Sequence, residues 1–451
     1  MQTFALKLFS MTFSPELILT QLKTLPQPQR YCVAFSGGCD SHVLLWSLAA
    51  IRQKLPCYKL HAIHINHGLH SQANEWEAHC IDVGKSLDVP VETCRVEIEL
   101  NKGHSLEAQA RDARYDALKR LMHPGDMLLL AHHQDDQAET LMLQLIRGAG
   151  VHGLAAMPVL ADFAKGWLAR PMLNVPRQQI LAFAKQQTLD WIEDPSNRDM
   201  AFDRNYLRHT IMPMLTERWP ATSATLTRAA KHQAEAATLL NTVAHDDLQR
   251  VSLPASDQLD MPGLLKLPRA RQVNLLRYWI RDICGYPLPN TSQLERIMSD
   301  VLHAGQDKSP VVNWLDVEMR RYRERLYLGK TLVSYDVDWQ AKWTADSQLA
   351  LPVGGKLITR ECEGRGIHKD CLASGIMVRF RRGGEICKPA GRDHHHELRK
   401  LFQEWGVPPW LRDRIPLIYA GDELVQVVGY TSCAPFAVKP GETGVEFTIQ
   451  H

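Results

Sequence analysis

Between residue 31 and about residue 150, short β-branched runs alternate with longer stretches whose apolar positions recur at helical spacing. Tyr31–Phe35, Tyr58–Ile65, Val91–Val96 and Asp126–Ala131 predict strands. Asp40–Arg52, Asn74–Leu87, Ser105–Leu121 and Asp135–Arg147 predict helices. Such alternation predicts an α/β fold, a parallel sheet with helices on both faces. Ligands of such sheets bind beyond the carboxyl ends of the strands. The strings SGGCDS (36–41), HINHGLH (64–70) and AHHQDD (131–136) each follow a predicted strand, so they are expected to meet at one edge.

The pattern changes further along. TLTRAAKHQAEAATLLNTVAHDDLQR and RARQVNLLRYWIRDI are amphipathic and predict a mainly helical region over 216–335. After Trp314 come strand-like pieces such as VEMRRYRERLYL, and 331–350 reads as a linker or loose hairpin. Glycines, short apolar runs and basic residues over 350–451 predict a small α+β domain. With 1–215 as the first domain, this makes three, in keeping with 451 residues. No heptad or interface stripe stands out, which leaves monomer and homodimer open.

Composition narrows the classes. Apolar content of 45% and charged content of 23% are those of a globular protein. The net charge is +2, so any nucleic-acid site must be a local patch. The 10 cysteines form no CxxC, which argues against zinc and against an iron–sulfur cluster, and scattered thiols fit a reducing cytoplasm. MQTFALKLFSMTF lacks the long apolar core of a secretory leader, and Met11 offers a second possible start. No run approaches ~20 apolar residues, so no membrane span is expected.

The most informative string is Ser36-Gly37-Gly38-Cys39-Asp40-Ser41, set between a strand and a helix. Two glycines let the backbone approach a phosphate, and the first amides of the helix favour negative charge. Ser36 and Ser41 add hydroxyls, and Ser41 or Asp40 is a candidate helix cap. The string lacks the lysine of a γ-phosphate-transferring loop. Asp40 beside a polyphosphate makes sense with Mg²⁺ between them. The loop therefore suits holding Mg-pyrophosphate while chemistry proceeds at the α-phosphate.

The second string is AHHQDDQAETLMLQLIRG, from Ala131 to Gly148. His133 is the stronger of its two histidines as a phosphate or substrate contact. Asp136 and Glu139 are three apart and share a helix face; acids in a first helical turn also complement the helix dipole. Arg111 and Arg114 lie on adjacent turns, and a Glu107–Arg111 pair competes with a substrate role for Arg111. Glu193 and Asp194 in EDPSN read equally as partners for a substrate ammonium or as turn caps. Arg204, Asn205 and Arg208 follow at helical spacing suited to phosphate contact. The histidines of 64–70 and 394–396 lack completing ligands for a metal set. Near the chain end Arg381, Arg382, Arg399 and Lys400 interleave with Trp405 and Trp410, as RNA backbone contact and base stacking would require.

SGGCDS, AHHQDDQAET, RGAGVHGLAAM (147–157) and EDPSNRDMAFDRNYLR (193–208), in this order, resemble the tRNA(Ile)-lysidine synthetase family of N-type ATP pyrophosphatases, the PP-loop enzymes. VRFRRGGEICKP and ELRKLFQEWGVPPWLRDRIPLIY resemble its C-terminal domain, whereas the middle helical part matches weakly. Cys39 fills the variable loop position, and His42 is expected to face away from phosphate. The resemblance implies an adenine nucleotide alpha hydrolase-like first domain. It implies ligation of lysine to the wobble cytidine of tRNA(Ile) with a CAU anticodon, through an adenylated cytidine, with ATP cleaved to AMP and pyrophosphate. On that reading Ser36, Gly37, Gly38, Cys39, Asp40, Ser41 and Ile65 bind ATP. Asp40 and Asp136 serve Mg²⁺, while His133, Glu139 and Arg111 complete the catalytic set. Arg204, Asn205, Arg208, Arg381, Arg382, Arg399 and Lys400 contact tRNA. The rivals are a PP-loop tRNA thiolase, disfavoured by the lack of CxxC, and a nucleotide-sensing RNA-binding protein, which has no need of the carboxylates.

Overall fold

The computed structural model describes residues 13–68, 70–96, 106–305, 310–345, 347–372 and 375–450. Met11 and Ser105 lie outside them, as does the side chain of Glu107. The chain divides into two compact units, Met1–Thr242 and Val243–His451.

The first unit runs α1 (Pro15–Lys23), β1 (Arg30–Ala34), α2 (Cys39–Ala50), β2 (Leu60–Asn66), α3 (Ala73–Ser86), β3 (Val91–Arg95), α4 (Leu106–Leu121), β4 (Asp126–Leu129), α5 (Gln134–Ile146), α6 (Val151–Leu154), β5 (Leu160–Phe163), β6 (Gly166–Ala169) and α7 (Arg177–Gln186). Its sheet has the order β3-β2-β1-β4-β6-β5, parallel except for β5. Each predicted strand and helix is present with ends shifted by a few residues. β1 shows why the pattern is readable. Tyr31 and Val33 pack on one face with Val43, Leu44 and Leu48 of α2, while Cys32 packs on the other with Leu118 of α4. Strand period two sends alternate side chains to opposite layers.

Register is set by apolar fit and by one buried ion pair. Tyr31 pairs with Leu60, and Arg30 with Asp126. Arg30 Nε lies 3.1 Å from Asp126 Oδ2, and Asp126 is only 2% exposed. The pair fastens the start of β1 to the start of β4. The chain moves outward from β1 through β2 to β3 on one side and through β4 to β6 on the other. The direction reverses between β1 and β4, and the crevice beyond their carboxyl ends is where such sheets bind ligands.

In the second unit the helix Arg269–Tyr278 and residues 297–302 pack around Trp279 with an antiparallel four-stranded sheet of residues 258–260, 325–330, 317–322 and 311–314. The predicted mainly helical region thus carries a sheet of its own. Beyond it lie a five-stranded and a three-stranded antiparallel sheet and the helix Leu398–Glu404. Residues 331–350, expected as a linker or loose hairpin, instead carry two strands that pair with later segments. Gln340–Trp343 is an edge strand paired with Ile376–Arg379, and Leu349–Ala350 pairs with Lys356–Leu357. Trp343, buried against Phe447, anchors a segment too short to show periodicity.

Candidate nucleotide-binding and catalytic site

A cleft of about 780 Å³ opens at the carboxyl ends of β1 and β4. All three polar strings reach it through Ser36–Ser41, Ile65 with His67, and His132 with Asp136. Apolar Ile63, Ile65, Leu118 and Leu130 form one wall.

The glycine loop has two fixed points. Gly37 has φ +81°, and a Cβ there would sit 2.4 Å from Ile192 Cδ1. Its carbonyl accepts the Ile192 amide at 3.0 Å, which ties the loop to the 190s segment. Gly38 is the N-cap of α2, so the helix starts one residue earlier than expected. Neither Ser41 nor Asp40 caps it: Ser41 Oγ donates to Gly38 O at 2.9 Å and lies 3.1 Å from Ser36 Oγ, while Gly38 N donates to Ser36 Oγ. Both hydroxyls thus stiffen the loop. Burial pushes the Cys39 thiol up to about 12, so it stays protonated. His42 faces inward and holds Asp190 O at 2.8 Å through Nδ1.

Asp40 and Asp136 flank His133. His133 is 1% exposed and is the N-cap of α5. Its Nδ1 accepts the Asp136 amide, and its own amide donates to Asp136 Oδ2 at 3.0 Å, a reciprocal cap. Nε2 then lies 3.3 Å from Asp136 Oδ2 and 3.6 Å from Asp40 Oδ2. Burial opposes charge on this ring, but the carboxylates of Asp40, Asp136 and Asp135 raise its pKa above the ordinary histidine value. His133, expected as a substrate contact, is a buried brace between two acids.

The carboxylates differ in what they have left to offer. Asp40 Oδ1 is buried without a hydrogen-bond partner among the described residues. An unsatisfied anionic oxygen beside a phosphate-type loop suits Mg²⁺. Asp136 has both oxygens engaged. Oδ1 accepts from Arg204 at 3.1 Å and Arg208 at 2.9 Å, and Oδ2 from the His133 amide. Burial alone would raise the Asp136 pKa, but His133 beside it and the guanidiniums of Arg204 and Arg208 hold it at about 2. The expectation that Asp136 binds metal directly is therefore at odds with its saturated oxygens.

Glu139 completes a four-residue ion cluster, 2.7 Å from Arg208 Nε and 2.9 Å from Arg204 Nε. The helical spacing of 204–208 predicts a phosphate-contacting face. In the structure both arginines turn instead onto the 136–139 face of α5. Asn205 also turns inward and donates to Ser196 O and Asp199 O, which shapes the EDPSNRD loop. Asp194 caps Ser196 N, as the capping reading expects, whereas Glu193 pairs with Arg198 at 3.1 Å, and both still line the cleft. Arg111 sits over the Tyr115 ring on an exposed part of α4, and Arg114 rather than Arg111 lines the cleft.

Two further residues at the site belong to no sequence motif. Arg177 lines the cleft, and its amide is held by Asp135. Arg170 donates to His132. The one signal for Arg170 is its position, since it follows the strand Gly166–Ala169 as the other site residues follow theirs. Among the described residues no cluster of three or more His, Cys, Asp or Glu has metal-holding geometry. No helix among them is long and apolar enough to cross a membrane.

In the second unit the basic block is partly neutralised. Arg381 pairs with Asp413 at 2.9 Å, and Arg382 donates to Asp338 O. Arg399 and Lys400 are exposed on the helix Leu398–Glu404, Lys400 lying 3.5 Å from Glu397. Trp405 stacks on Tyr430 with 5.2 Å between ring centroids.

Comparison with known proteins agrees with this architecture. Residues 14–215 match a PP-loop domain, 259–327 a TilS substrate binding domain and 376–449 a TilS substrate C-terminal domain. A tRNA(Ile)-lysidine synthase of Coxiella burnetii is 44% identical over 439 residues, covering 97% of each chain. One from Methylococcus capsulatus is 44% identical over 88% of this chain and 91% of its own. A solved TILS C-terminal domain aligns at 21% identity and a TM-score of 0.22, covering 25% of this chain and 98% of that one.

Proposed function

The chain belongs to the tRNA(Ile)-lysidine synthase family, and from that membership we propose how its residues divide the work of an ATP-using ligase. The reaction joins lysine to the wobble cytidine of a tRNA(Ile) carrying CAU. Cytosine O2 attacks the α-phosphate of ATP and releases pyrophosphate. The lysine amine then attacks C2 and expels AMP. The observation that carries this reading is the meeting of the Ser36–Ser41 loop, the open oxygen of Asp40 and Asp136 at one cleft beyond β1 and β4.

Adenine lies against Ile65 and its apolar neighbours. The loop amides and the N-terminus of α2 face the β- and γ-phosphates. Asp40 would hold Mg²⁺, which when bound would supply charge neutralisation for the pyrophosphate. His133 keeps Asp40 and Asp136 in place, while Arg204 and Arg208 bind Asp136 and Glu139 and so fix Asp136 at the wall of the cleft. Glu193 and Asp194 offer carboxylates to the lysine ammonium at its rim. Residues 1–215 perform the adenylation, whereas 216–335 and 350–451 hold the tRNA, Arg399 and Lys400 through phosphates. The enzyme acts in the cytoplasm, where its tRNA is found.

The reading is tested with ATP labelled at the α-phosphate and no lysine. Label should accumulate on a CAU transcript and leave as AMP when lysine is added. A transcript that never takes up label, with ATP turned over to ADP instead, would contradict it.

A further inference from the structure

Arg170 is buried, 7% exposed, and among the described residues no carboxylate lies within ion-pair distance of it. Its Nη1 donates to Pro158 O at 2.8 Å. Its Nε donates to His132 Nδ1 at 3.1 Å. A buried guanidinium without a counterion is costly and calls for a role. A guanidinium can only donate, so Nδ1 of His132 can only accept. The proton of the neutral ring is therefore on Nε2. That atom has no protein partner among the described residues, and His132 lines the cleft directly after β4.

We propose that Arg170 is a positioning residue that locks His132 as the neutral Nε2–H tautomer, giving the cleft a fixed hydrogen-bond donor for an acceptor oxygen of the reacting group. The proposal rests on the functional reading above for the identity of that oxygen, but the tautomer itself does not depend on it. The charged groups around His132 agree. Burial is the largest influence against charging the ring. Asp136 of α5 favours charge, whereas Arg170, Arg204 and Arg111 of α4 oppose it, and together they hold its pKa at about 3. His132 and His133 thus differ in task. His133 turns its Nε2 toward two carboxylates, and His132 turns toward arginines, leaving its own N–H for a ligand. A neutral donor suits a developing negative charge, because it needs no proton exchange during the step.

Nitrogen-15 spectra of histidine-labelled, full-length protein test the lock, with His132 assigned by difference against His132→Gln. In ligand-free enzyme at a pH of about 7.5, well above the ring's pKa, the His132 signals should show a bare Nδ1 and a protonated Nε2. Arg170→Met should give a mixture of tautomers, and Arg170→Gln, whose amide can donate, should restore the single form. In steady-state pyrophosphate release, Arg170→Met should lower kcat about 10- to 100-fold with KM for ATP little changed. Arg170→Gln should recover most of that activity, and His132→Phe should cost about 100-fold. A protonated Nδ1 in the wild-type protein would overturn the lock without any variant having to fold. Normal turnover by His132→Phe would overturn the donor role while leaving the lysidine reading intact. Failure of that reading would show separately, as wild-type enzyme that releases no pyrophosphate with a CAU transcript.

Discussion

Arg208 grips Glu139 with two bonds, Nε to Oε1 at 2.7 Å and Nη2 to Oε2 at 2.8 Å, across 69 residues of chain. The pair is largely desolvated, with the Glu139 side chain 3% exposed and that of Arg208 22% exposed. It joins α5 to the segment that follows the EDPSN loop. Arg204 repeats the contact one turn earlier. These contacts tie the 204–208 segment, and with it the loop before it, to α5.

Glu139→Ala removes one of the two carboxylates that both arginines share, so that only Asp136 remains to them. Leaving two cations half-buried without the Glu139 carboxylate should cost about 3–5 kcal/mol, measured by urea unfolding. Glu139→Gln should cost less but still loosen the 193–208 segment, visible as faster amide exchange there than in the wild type. Unchanged exchange in both variants would disprove the tie.

Asp40→Asn keeps shape and removes one charge next to the loop. Adenylation should fall about 1,000-fold, equivalent to ~4 kcal/mol. The unfolding midpoint and tRNA affinity should stay close to wild type, since Asp40 Oδ1 has no protein partner to lose among the described residues. Weakened tRNA binding with normal adenylation would assign the residue elsewhere.

Gly37→Ala tests the loop backbone. Its φ of +81° and the 2.4 Å approach to Ile192 leave no room for a methyl group. The left-handed conformation adds about 1–2 kcal/mol. ATP affinity should drop more than global stability, as read by calorimetry alongside thermal unfolding. The reverse order would place the glycine's role in folding.

Acid should weaken the first unit in two windows. Burial lowers the pKa of His42 and of His64, whose Nδ1 is 2.9 Å from Phe35 O. The unfolded chain then binds protons first, so stability falls as pH drops below about 6.5. Asp136, held at about 2 in the fold, contributes stability that is complete above about 4 and disappears as pH falls toward 2. Urea midpoints measured from about pH 8 to about pH 3 should decline below about 6.5 and steepen below about 4. His64→Asn, with its amide donor retained, should flatten part of the upper window. A flat midpoint between about pH 7.5 and about pH 5.5 would refute the assignment.

Arg399→Glu with Lys400→Glu should weaken tRNA binding and lower the salt slope by about 1 for each phosphate no longer neutralised. These are better probes than Arg381, whose guanidinium is already committed to Asp413. An unchanged salt slope would remove this helix from the RNA surface.

Residues whose role follows from position in a repeating element are legible before the fold. The strand ends at Ser36, Ile65 and His132 converge because topology requires it, and Gly37 announces a turn that no other residue makes without strain. Partnership across long sequence distance is not legible. Arg204 and Arg208 have the spacing of a phosphate-binding face, and only the fold shows that α5 supplies their acids. Asn205 has a surface residue's composition and a buried residue's bonds. Arg170 escapes the sequence because a lone arginine after a strand carries no motif. The edge strand Gln340–Trp343 escapes it because four residues show no periodicity and its order comes from Ile376–Arg379.

Lysine incorporation puts the ligase reading at risk in a single experiment. Wild-type enzyme is given ATP, labelled lysine and two transcripts of an isoleucine tRNA, one with CAU and one with GAU, with pyrophosphate followed in parallel. Pyrophosphate release and label are expected on the CAU transcript alone, both abolished by Asp40→Asn. Pyrophosphate release without lysine on either RNA, or equal labelling of both, would contradict the assignment of this cleft to lysidine formation.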